Sequence, residues 1–354
     1  MLRKLLGLVL LAALAAGGGA FLLFSRLEEP FKGYDADAQE IDIPAGSGTR
    51  VIGRQLVDAG VIRDDLTFRA ALWLSGDARR LKAGEYRFDH PMTPRDVLGK
   101  IARGEVDLVS ITFREGLTIA EMAAVFESHG LGTAADFRAA ASDSALVADL
   151  DPTAVDLEGY LFPETYAVSR HADAAQLVRA MVERFNKVFS GPLRDAAAAR
   201  QLSVRQLVTL ASIVEKETGA VSERPTVAAV YANRLRIGMG LQCDPTVIYA
   251  LQRAGKYTGN LRRDDLAFDS PYNTYRYAGL PPGPIAAPGL GALEAAAHPA
   301  DVPFLYFVSR NDGTHAFAAS LDEHNRNVQK FQVQYFRERR QAERRREQAV
   351  TPGR

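Results

Sequence analysis

Two glutamates, Glu215 and Glu217, stand at the end of a mostly apolar stretch of the chain. A carboxyl group in apolar surroundings loses contact with water, which disfavours its charged form and raises its pKa. It then stays protonated near neutral pH and can donate a proton to a leaving group as a general acid. The pattern indicates acid–base chemistry, although pairing with an arginine or capping of a neighbouring helix would also explain either residue.

The stretch predicts a helix over residues 203–218, because Ser203 is a good N-cap and Gly219 can end a helix. Polar side chains recur at helical spacing and form one narrow stripe: Arg205, Thr209, Ser212 and Lys216. At about 100° per residue, Glu215 and Glu217 fall on opposite sides of this stripe. The residues beside the two acids are apolar: Leu210, Ile213 and Val214 next to Glu217, and Val208 and Ala211 next to Glu215. This geometry favours Glu217 as the acid only slightly.

Further polar and aromatic candidates lie outside this helix. Asp244 is predicted to cap the next helix, with Pro245 in its first position, which leaves Gln242 as the freer polar group. The segments 270–275 and 279–285 predict a rigid loop whose aromatic rings offer flat faces to sugars, or alternatively a loop that covers the core. We expect substrate contacts from six residues: Gln242, Tyr272, Asn273, Thr274, Glu164 and His315. We expect supporting roles from three: Glu215, Glu223 and Asp244.

The composition excludes several other kinds of site. The chain has 354 residues, and its 43 lysines and arginines balance 43 aspartates and glutamates. A formal net charge of zero gives no basic field, so no nucleic-acid partner is expected. Cys243 is the single cysteine, which excludes an intrachain disulfide and a zinc–cysteine cluster. The six histidines lack HExxH spacing, and neither a metal nor an organic cofactor is expected.

The chain begins with a hydrophobic segment that predicts a membrane anchor. Residues 5–24 are uncharged, and a helix of that length spans about 30 Å, the thickness of a hydrocarbon core. Arg3 and Lys4 favour a cytoplasmic N-terminus, with the catalytic part in the periplasm and the anchor in the inner (cytoplasmic) membrane. A cleavable signal peptide is the alternative, but residues 21–24 continue the apolar run past any such site.

The rest of the chain predicts an α+β protein with two folded parts. Residues 25–39 are polar and are predicted to form a linker. Residues 40–105 predict a strand, two helices and a second strand, in that order. This order resembles a LysM-like carbohydrate-binding module. Residues 106–335 predict a larger, mixed α/β catalytic domain, and residues 336–354 a charged, arginine-rich tail.

Several motifs occur in a fixed order along the chain, and together they resemble one family. They are residues 157–166, 211–218, 222–224, 233–247, 270–275 and 279–283, followed by 297–299 and His315. In order and spacing they are similar to the YceG-like family of endolytic murein transglycosylases. The similarity extends from the anchor to about residue 333, and the arginine-rich extension lies outside it.

This resemblance implies a membrane-anchored enzyme that cuts nascent peptidoglycan within the glycan strand and works beside peptidoglycan synthases. The second glutamate of the Glu-x-Glu pair, here Glu217, would be the catalytic residue and would act first as acid and then as base. The product would end in 1,6-anhydro-N-acetylmuramic acid, and no cofactor is implied. The family position that Cys243 holds varies, so the resemblance gives the thiol no role.

Three other functions remain as alternatives. A membrane-tethered scaffold could bind the same glycan without turnover, although it leaves a buried Glu217 unexplained. A hydrolase would differ only in using water instead of the muramyl C6 hydroxyl. An aminodeoxychorismate lyase would need a lysine that carries pyridoxal phosphate in a soluble enzyme, and the predicted anchor argues against it.

Overall fold

The computed structural model describes residues 2–170 and 172–350, and the chain divides into two compact units. The first unit is Met1–Ser110 with Ala167–His171, and the second is Ile111–Tyr166 with Ala172–Arg354. Helices predominate in both, and the strands form small two-stranded sheets. The protein is therefore α+β, as predicted.

The first unit follows the strand and helix order that the sequence predicts. Its elements are α1 (Leu2–Glu28), β1 (Gln39–Ile43), α2 (Thr49–Asp58), α3 (Asp65–Ser75), β2 (Gly84–Phe88) and α4 (Pro94–Arg103). β1 and β2 are antiparallel, with Ile41 opposite Tyr86, and both side chains are buried. The β1–α2–α3–β2 order is present, while the likeness to a LysM-like module stays a prediction.

The end of α1 is built into the core of this unit. Leu27 is only 6% exposed and packs in the same apolar cluster as the strands and α2–α4. Phe31 N–H donates to Met92 O at 2.9 Å, and the Tyr34 hydroxyl donates to Phe88 O at 2.7 Å. Residues 25–39 therefore differ from the predicted linker, because a few apolar side chains within a polar segment attach it to the unit.

α1 includes the hydrophobic segment 5–24, for which the sequence predicts a membrane anchor. No helix in the described part of the chain combines the length and the apolar character that crossing a membrane requires. Anchoring by this segment stays a prediction.

The second unit is mainly helical. From the boundary onward the elements are β3 (Leu108–Thr112), α5 (Ile119–Ser128), α6 (Ala134–Ala141), β4 (Thr165–Ser169), α7 (Ala174–Val188), α8 (Gly191–Ala199) and α9 (Val204–Glu217). They continue with α10 (Arg224–Arg236), α11 (Asp244–Arg253), α12 (Leu290–Ala297), β5 (Tyr306–Ser309), β6 (His315–Ala318), α13 (Leu321–Val328) and α14 (Tyr335–Val350). β3 pairs with β4, and β5 with β6 in an antiparallel hairpin.

α9 occupies the centre of this unit and packs against α8, α10, α11 and α12. The charged tail is largely helical as α14, which follows a π-helical turn over Gln329–Gln334. The last four residues of the predicted tail, 351–354, lie outside the described residues.

Candidate active site

α9 holds its terminal carboxyl on a rigid, buried helix. Ser203 caps α9 as predicted: its hydroxyl accepts the Gln206 N–H at 3.2 Å, while the Gln206 side chain accepts the Ser203 N–H at 2.8 Å. All residues from 207 to 214 are buried. Because protein surrounds the helix on every side, the groups at its C-terminal end have a fixed position.

The polar stripe of α9 attaches loops to the helix. Arg205 Nε donates to Pro282 O at 2.7 Å, and Ser212 Oγ accepts the Ile285 N–H at 3.0 Å. Pro282 and Ile285 both belong to the proline-rich loop that the sequence predicts beside the site. The stripe therefore positions that loop along α9.

Glu217 is the last residue of α9, and part of it remains exposed. The Cys243 thiol donates to Glu217 Oε2, with 3.3 Å between Sγ and the oxygen. Tyr231 of α10, which is 1% exposed, donates its hydroxyl to the same carboxyl group. Two uncharged donors, one in the turn before α11 and one in α10, thus orient this carboxyl.

The surroundings of Glu217 favour its protonated form. Burial is the largest cause and raises the pKa of the carboxyl above its ordinary value. Hydrogen bonds from Cys243 and Tyr231 oppose this rise in pKa, because they stabilise the carboxylate. A carboxyl whose pKa is raised by burial, but that also has donors for its charged form, suits a group that gives up a proton and takes one back.

Glu215 lies in an ion pair instead. Its side chain is 6% exposed, and Oε1 accepts from Arg224 Nη2 at 2.7 Å. Oε2 accepts the N–H of Gly289, the N-cap of α12, at 3.0 Å. Burial raises the pKa of Glu215, while the Gly289 hydrogen bond and the Arg224 charge lower it. Glu215 therefore ties α9 to α10 and α12.

His315 and Glu223 form a second pair near Glu217. Glu223 Oε1 accepts the His315 backbone N–H at 2.9 Å, and Oε2 lies 2.7 Å from Nδ1. Because a carboxylate only accepts, Nδ1 carries a proton and the ring orientation is fixed. His315 is also close enough to Glu217 for its charge to lower the pKa of that carboxyl. The His315 ring contacts Phe307 and remains partly exposed, and its predicted contact with substrate stays a prediction.

Gln242 lies in the turn that carries Cys243 to Glu217. Its φ is +50°, a left-handed conformation that side chains other than glycine seldom adopt, and its side chain is exposed. Its N–H donates to Thr274 O at 3.2 Å. Strained residues of this kind concentrate at functional sites, where neighbouring structure maintains them. The exposed amide of Gln242 is free to meet a ligand.

Most ionisable side chains around the site are paired with one another. The pairs are Glu215 with Arg224, Glu223 with His315, and Asp244 with Tyr275. Within residues 2–170 and 172–350, no three His, Cys, Asp or Glu side chains are grouped so that they could hold a metal ion. Glu217 differs from Glu215, which pairs with a guanidinium, because the donors to its carboxyl are an uncharged thiol and an uncharged hydroxyl.

A model of the YceG-like family matches residues 41–330 of this chain. The chain belongs to the YceG-like family. This confirms the resemblance that the motifs indicate. The match includes α9, the Gln242 turn, the aromatic loop and the β5–β6 hairpin, so the whole candidate site of this YceG-like protein lies inside the family region.

Relatives with curated names and a solved structure agree with this assignment. The chain is 32% identical over 330 residues to the endolytic murein transglycosylase of Bacillus subtilis strain 168, covering 89% of this chain and 90% of that protein. It is 31% identical over 354 residues to the endolytic murein transglycosylase of Streptococcus pneumoniae D39, covering 91% of this chain and 63% of that protein. A crystal structure of a YceG-like protein from Listeria monocytogenes superposes with a TM-score of 0.56 at 32% identity, covering 82% of this chain and 98% of that one.

Two of the predicted sugar contacts in the YceG-like site are buried instead. Asn273 is 0% exposed, and its amide donates to Leu266 O and Phe268 O within its own loop. Thr274 is 2% exposed, and its hydroxyl accepts the Cys243 N–H at 3.0 Å. These residues shape the loop and the turn that carries Cys243, because their polar atoms already have partners inside the protein.

The other predicted contacts are placed differently. Both carboxylate oxygens of Glu164 accept from Arg184 of α7, at 2.6 and 3.0 Å, in an ion pair that leaves the Glu164 side chain 41% exposed, and its contact with a sugar stays a prediction. Tyr272 is partly exposed and packs against Tyr249, with ring centroids 5.0 Å apart. Tyr272, Gln242 and His315 therefore remain candidates for contact with a ligand, because each is at least partly exposed.

Asp244 differs from its predicted role as a helix cap. α11 begins at Asp244, and Cys243 occupies the N-cap position. The Asp244 carboxylate accepts the Tyr275 hydroxyl at 2.6 Å, which draws it towards the aromatic loop and away from the helix N–H groups. Its charge also raises the pKa of Glu217, so Asp244 supports the site through position and charge.

Besides Cys243, to which the resemblance gives no role, sequence reasoning missed two residues of this part of the protein. Tyr231 looks like an ordinary member of the buried face of α10, and only its contact with Glu217 reveals a second role. Glu158 is 6% exposed, and its carboxyl accepts the Ile119 N–H at 3.1 Å and the Tyr249 hydroxyl at 3.1 Å. The position of Glu158 within the mostly apolar segment 157–162 was the available signal that its carboxyl is buried.

The raised pKa of Glu158 leads us to expect that the free energy of unfolding depends on pH. Burial, helped by the charge of Asp156, raises the pKa of Glu158 from 4.5 to about 8. The folded protein therefore binds more protons than the unfolded chain between these values, and its free energy of unfolding falls as the pH rises from 4.5 through about 8. In Glu158→Gln, denaturant unfolding should show a smaller fall over the same range. An identical fall in both proteins would contradict this.

The hydrogen bond from Cys243 to Glu217 leads us to expect that replacing Cys243 shifts the pH profile of activity. A general acid must be protonated, so activity falls as the pH rises through the pKa of Glu217. Cys243→Ala removes a donor that lowers this pKa, and the alkaline limb of kcat/KM should move to higher pH. Cys243→Ser keeps a donor and serves as the control, with a limb near that of the unsubstituted protein. Coincident limbs in the alanine and serine variants would show that the thiol does not act on Glu217.

Proposed function

We propose that this chain is an endolytic lytic transglycosylase of peptidoglycan, which cuts glycan strands internally between N-acetylmuramic acid and N-acetylglucosamine. The observation that carries the proposal is Glu217, a partly exposed carboxyl with a raised pKa at the end of a rigid helix. Membership of the YceG-like family and relatives named endolytic murein transglycosylase support the same reaction.

The reaction needs one carboxyl that acts twice. Glu217 protonates the glycosidic oxygen as the bond from that oxygen to the muramyl C1 breaks. The C6 hydroxyl oxygen of the same muramyl residue then attacks C1, and its proton passes to the Glu217 carboxylate. The product is a 1,6-anhydro end and a free N-acetylglucosamine hydroxyl, and no water is consumed. Most glycosidases use two carboxylates, whereas Glu215 here is engaged with Arg224.

The groups around Glu217 support the two proton transfers. Hydrogen bonds from Tyr231 and Cys243 hold the carboxyl in one orientation and stabilise the carboxylate that forms after the first transfer. The His315–Glu223 pair places an oriented imidazole beside it. Gln242 and Tyr272 offer an exposed amide and a ring face to the sugars.

Mass spectrometry of the products tests this function. The full-length protein in detergent is incubated with purified sacculi, and the released muropeptides are analysed. Internal cuts with 1,6-anhydro ends are expected. Reducing ends would identify a hydrolase, and binding without any release would identify a scaffold, so either result would overturn the proposal.

We also propose that residues 5–24 anchor the enzyme in the inner membrane, with residues 1–4 in the cytoplasm and the rest in the periplasm. The uncharged run and the basic Arg3 and Lys4 support this arrangement. A LysM-like role for the first unit would bring glycan to the anchored enzyme, and synthases in the same membrane would supply nascent strands. A reporter active only in the periplasm, fused after Arg354, should be active, and a mature N-terminus near residue 20 would contradict the anchor.

A further inference from the structure

α3 is apolar on two opposite faces, and only one of them is covered. Phe68, Ala71 and Leu72 are buried in the core of the first unit. On the other side Leu66, Trp73 and Leu74 are 60%, 82% and 52% exposed. Positions separated by seven and eight residues lie within an arc of about 100° on a helix. α3 therefore presents one continuous apolar stripe to its surroundings, and that stripe includes the chain's single tryptophan.

The start of α3 is attached directly to the end of α1. α1 packs against α3 and α4, and Arg26 Nη1 lies 3.4 Å from Oδ2 of Asp64, the N-cap of α3. Leu27 is buried in the core, so no flexible segment separates the hydrophobic run from the unit. The last apolar turns of α1 expose Phe21, Leu22 and Phe24 by 59–72%. Phe24 is three residues before the buried Leu27, which is roughly one helical turn, or about 5 Å along the helix. The medium that surrounds the last apolar turns of α1 therefore also lies close to the folded unit.

Basic residues follow the stripe. α3 ends at Ser75 with Gly76 as its C-cap, and Arg79 and Arg80 are exposed in the turn that comes next. Arginine side chains beside exposed tryptophan and leucine match the boundary of a bilayer, where rings settle among headgroups and cations meet anionic lipids.

We propose that this α3 surface, formed by Leu66, Trp73, Leu74, Arg79 and Arg80, lies on the lipid bilayer that holds α1. The inference rests on the anchor proposed above. A lipid surface fits better than a sugar, because a sugar site places hydrogen-bonding side chains around its aromatic ring, whereas leucines accompany Trp73. The surface would hold the first unit against the membrane in one orientation.

The fluorescence of Trp73 tests the contact without any label. The full-length chain is reconstituted into vesicles that contain anionic lipid, with or without bromine on the acyl chains, and flotation measures its attachment. We expect the emission of Trp73 to shift to the blue, to be quenched by the brominated lipid, and to be protected from acrylamide. In Leu66→Ser/Leu74→Ser, which keeps the probe, flotation should persist through α1 while the quenching and the protection are lost.

Other results would overturn the proposal. If the chain floats but Trp73 emits as a tryptophan in water does, the anchor is retained and this surface does not contact the bilayer. Shielding without bromine quenching that disappears at low protein density would identify a second copy as the partner, and a shift on adding soluble glycan strands would identify a sugar. Failure to float would exclude both the anchor and the surface, while release of anhydro-muropeptides by the same preparation reports separately on the proposed reaction.

Discussion

Glu217→Gln is expected to abolish the release of 1,6-anhydro-muropeptides from sacculi, with a loss of activity of ~10²–10⁴-fold or more. Glutamine retains the shape of the side chain and can still accept from Cys243 and Tyr231, but it has no acidic proton to give to the leaving oxygen. The midpoint of thermal unfolding should stay nearly unchanged, because the hydrogen bonds remain. Product analysis by mass spectrometry and a melting curve measure the two effects.

Glu215→Gln is the matched control, two residues earlier on the same helix. The amide can still accept the Gly289 N–H, but it loses the charge that pairs with Arg224. A smaller loss of activity and a lower stability are expected. Near-normal turnover by a folded Glu217→Gln protein would show that another group is the acid.

Arg224→Met is expected to lower the free energy of unfolding by about 3–5 kcal/mol at neutral pH. Arg224 and Glu215 are 9% and 6% exposed, so removing the guanidinium leaves a buried carboxylate without its partner. The burial that raises the pKa of Glu215 would then act without the opposing charge of Arg224. The loss should shrink as the pH falls, because Glu215 can take up a proton. Denaturant unfolding at several pH values measures this.

Glu115→Gln serves as the control for that variant, because Arg224 also pairs with Glu115 at 3.2 Å. Glu115 is 46% exposed, and exposed ion pairs contribute at most about 1 kcal/mol. An equal loss of stability in Arg224→Met and Glu115→Gln would mean that the buried contact with Glu215 is not the one that matters.

The helix that carries the acids was predictable because its signals are local. Ser203 and the residues that follow it form a capping box, and the polar stripe is visible in the spacing of the sequence. That Glu215 and Glu217 lie on opposite sides of the polar stripe also follows from helical geometry. A supporting role for Glu215 was predicted, but its partners were not, because Arg224 and Gly289 approach from later parts of the chain.

The roles of Asn273 and Thr274 show where sequence patterns mislead. Polar residues in an aromatic loop indicate contact with a ligand, yet the carbonyls of Leu266 and Phe268 take the Asn273 amide. Partners of this kind depend on how the loop closes, which no local pattern encodes. The same holds for Leu27, because a few apolar residues scattered in a polar segment give no sign that they belong to a core.

The pairing of His315 with Glu223 affects the order in which the site is completed. The imidazole reaches Glu223 across 92 residues of chain, whereas Cys243 reaches Glu217 across 26. The longer closure costs more chain entropy and needs the β5–β6 hairpin in place. During synthesis, the growing chain therefore carries the acid and its thiol donor well before it carries the imidazole. A chain clipped ahead of β5 would keep α9 whole and yet leave Glu217 without that neighbour.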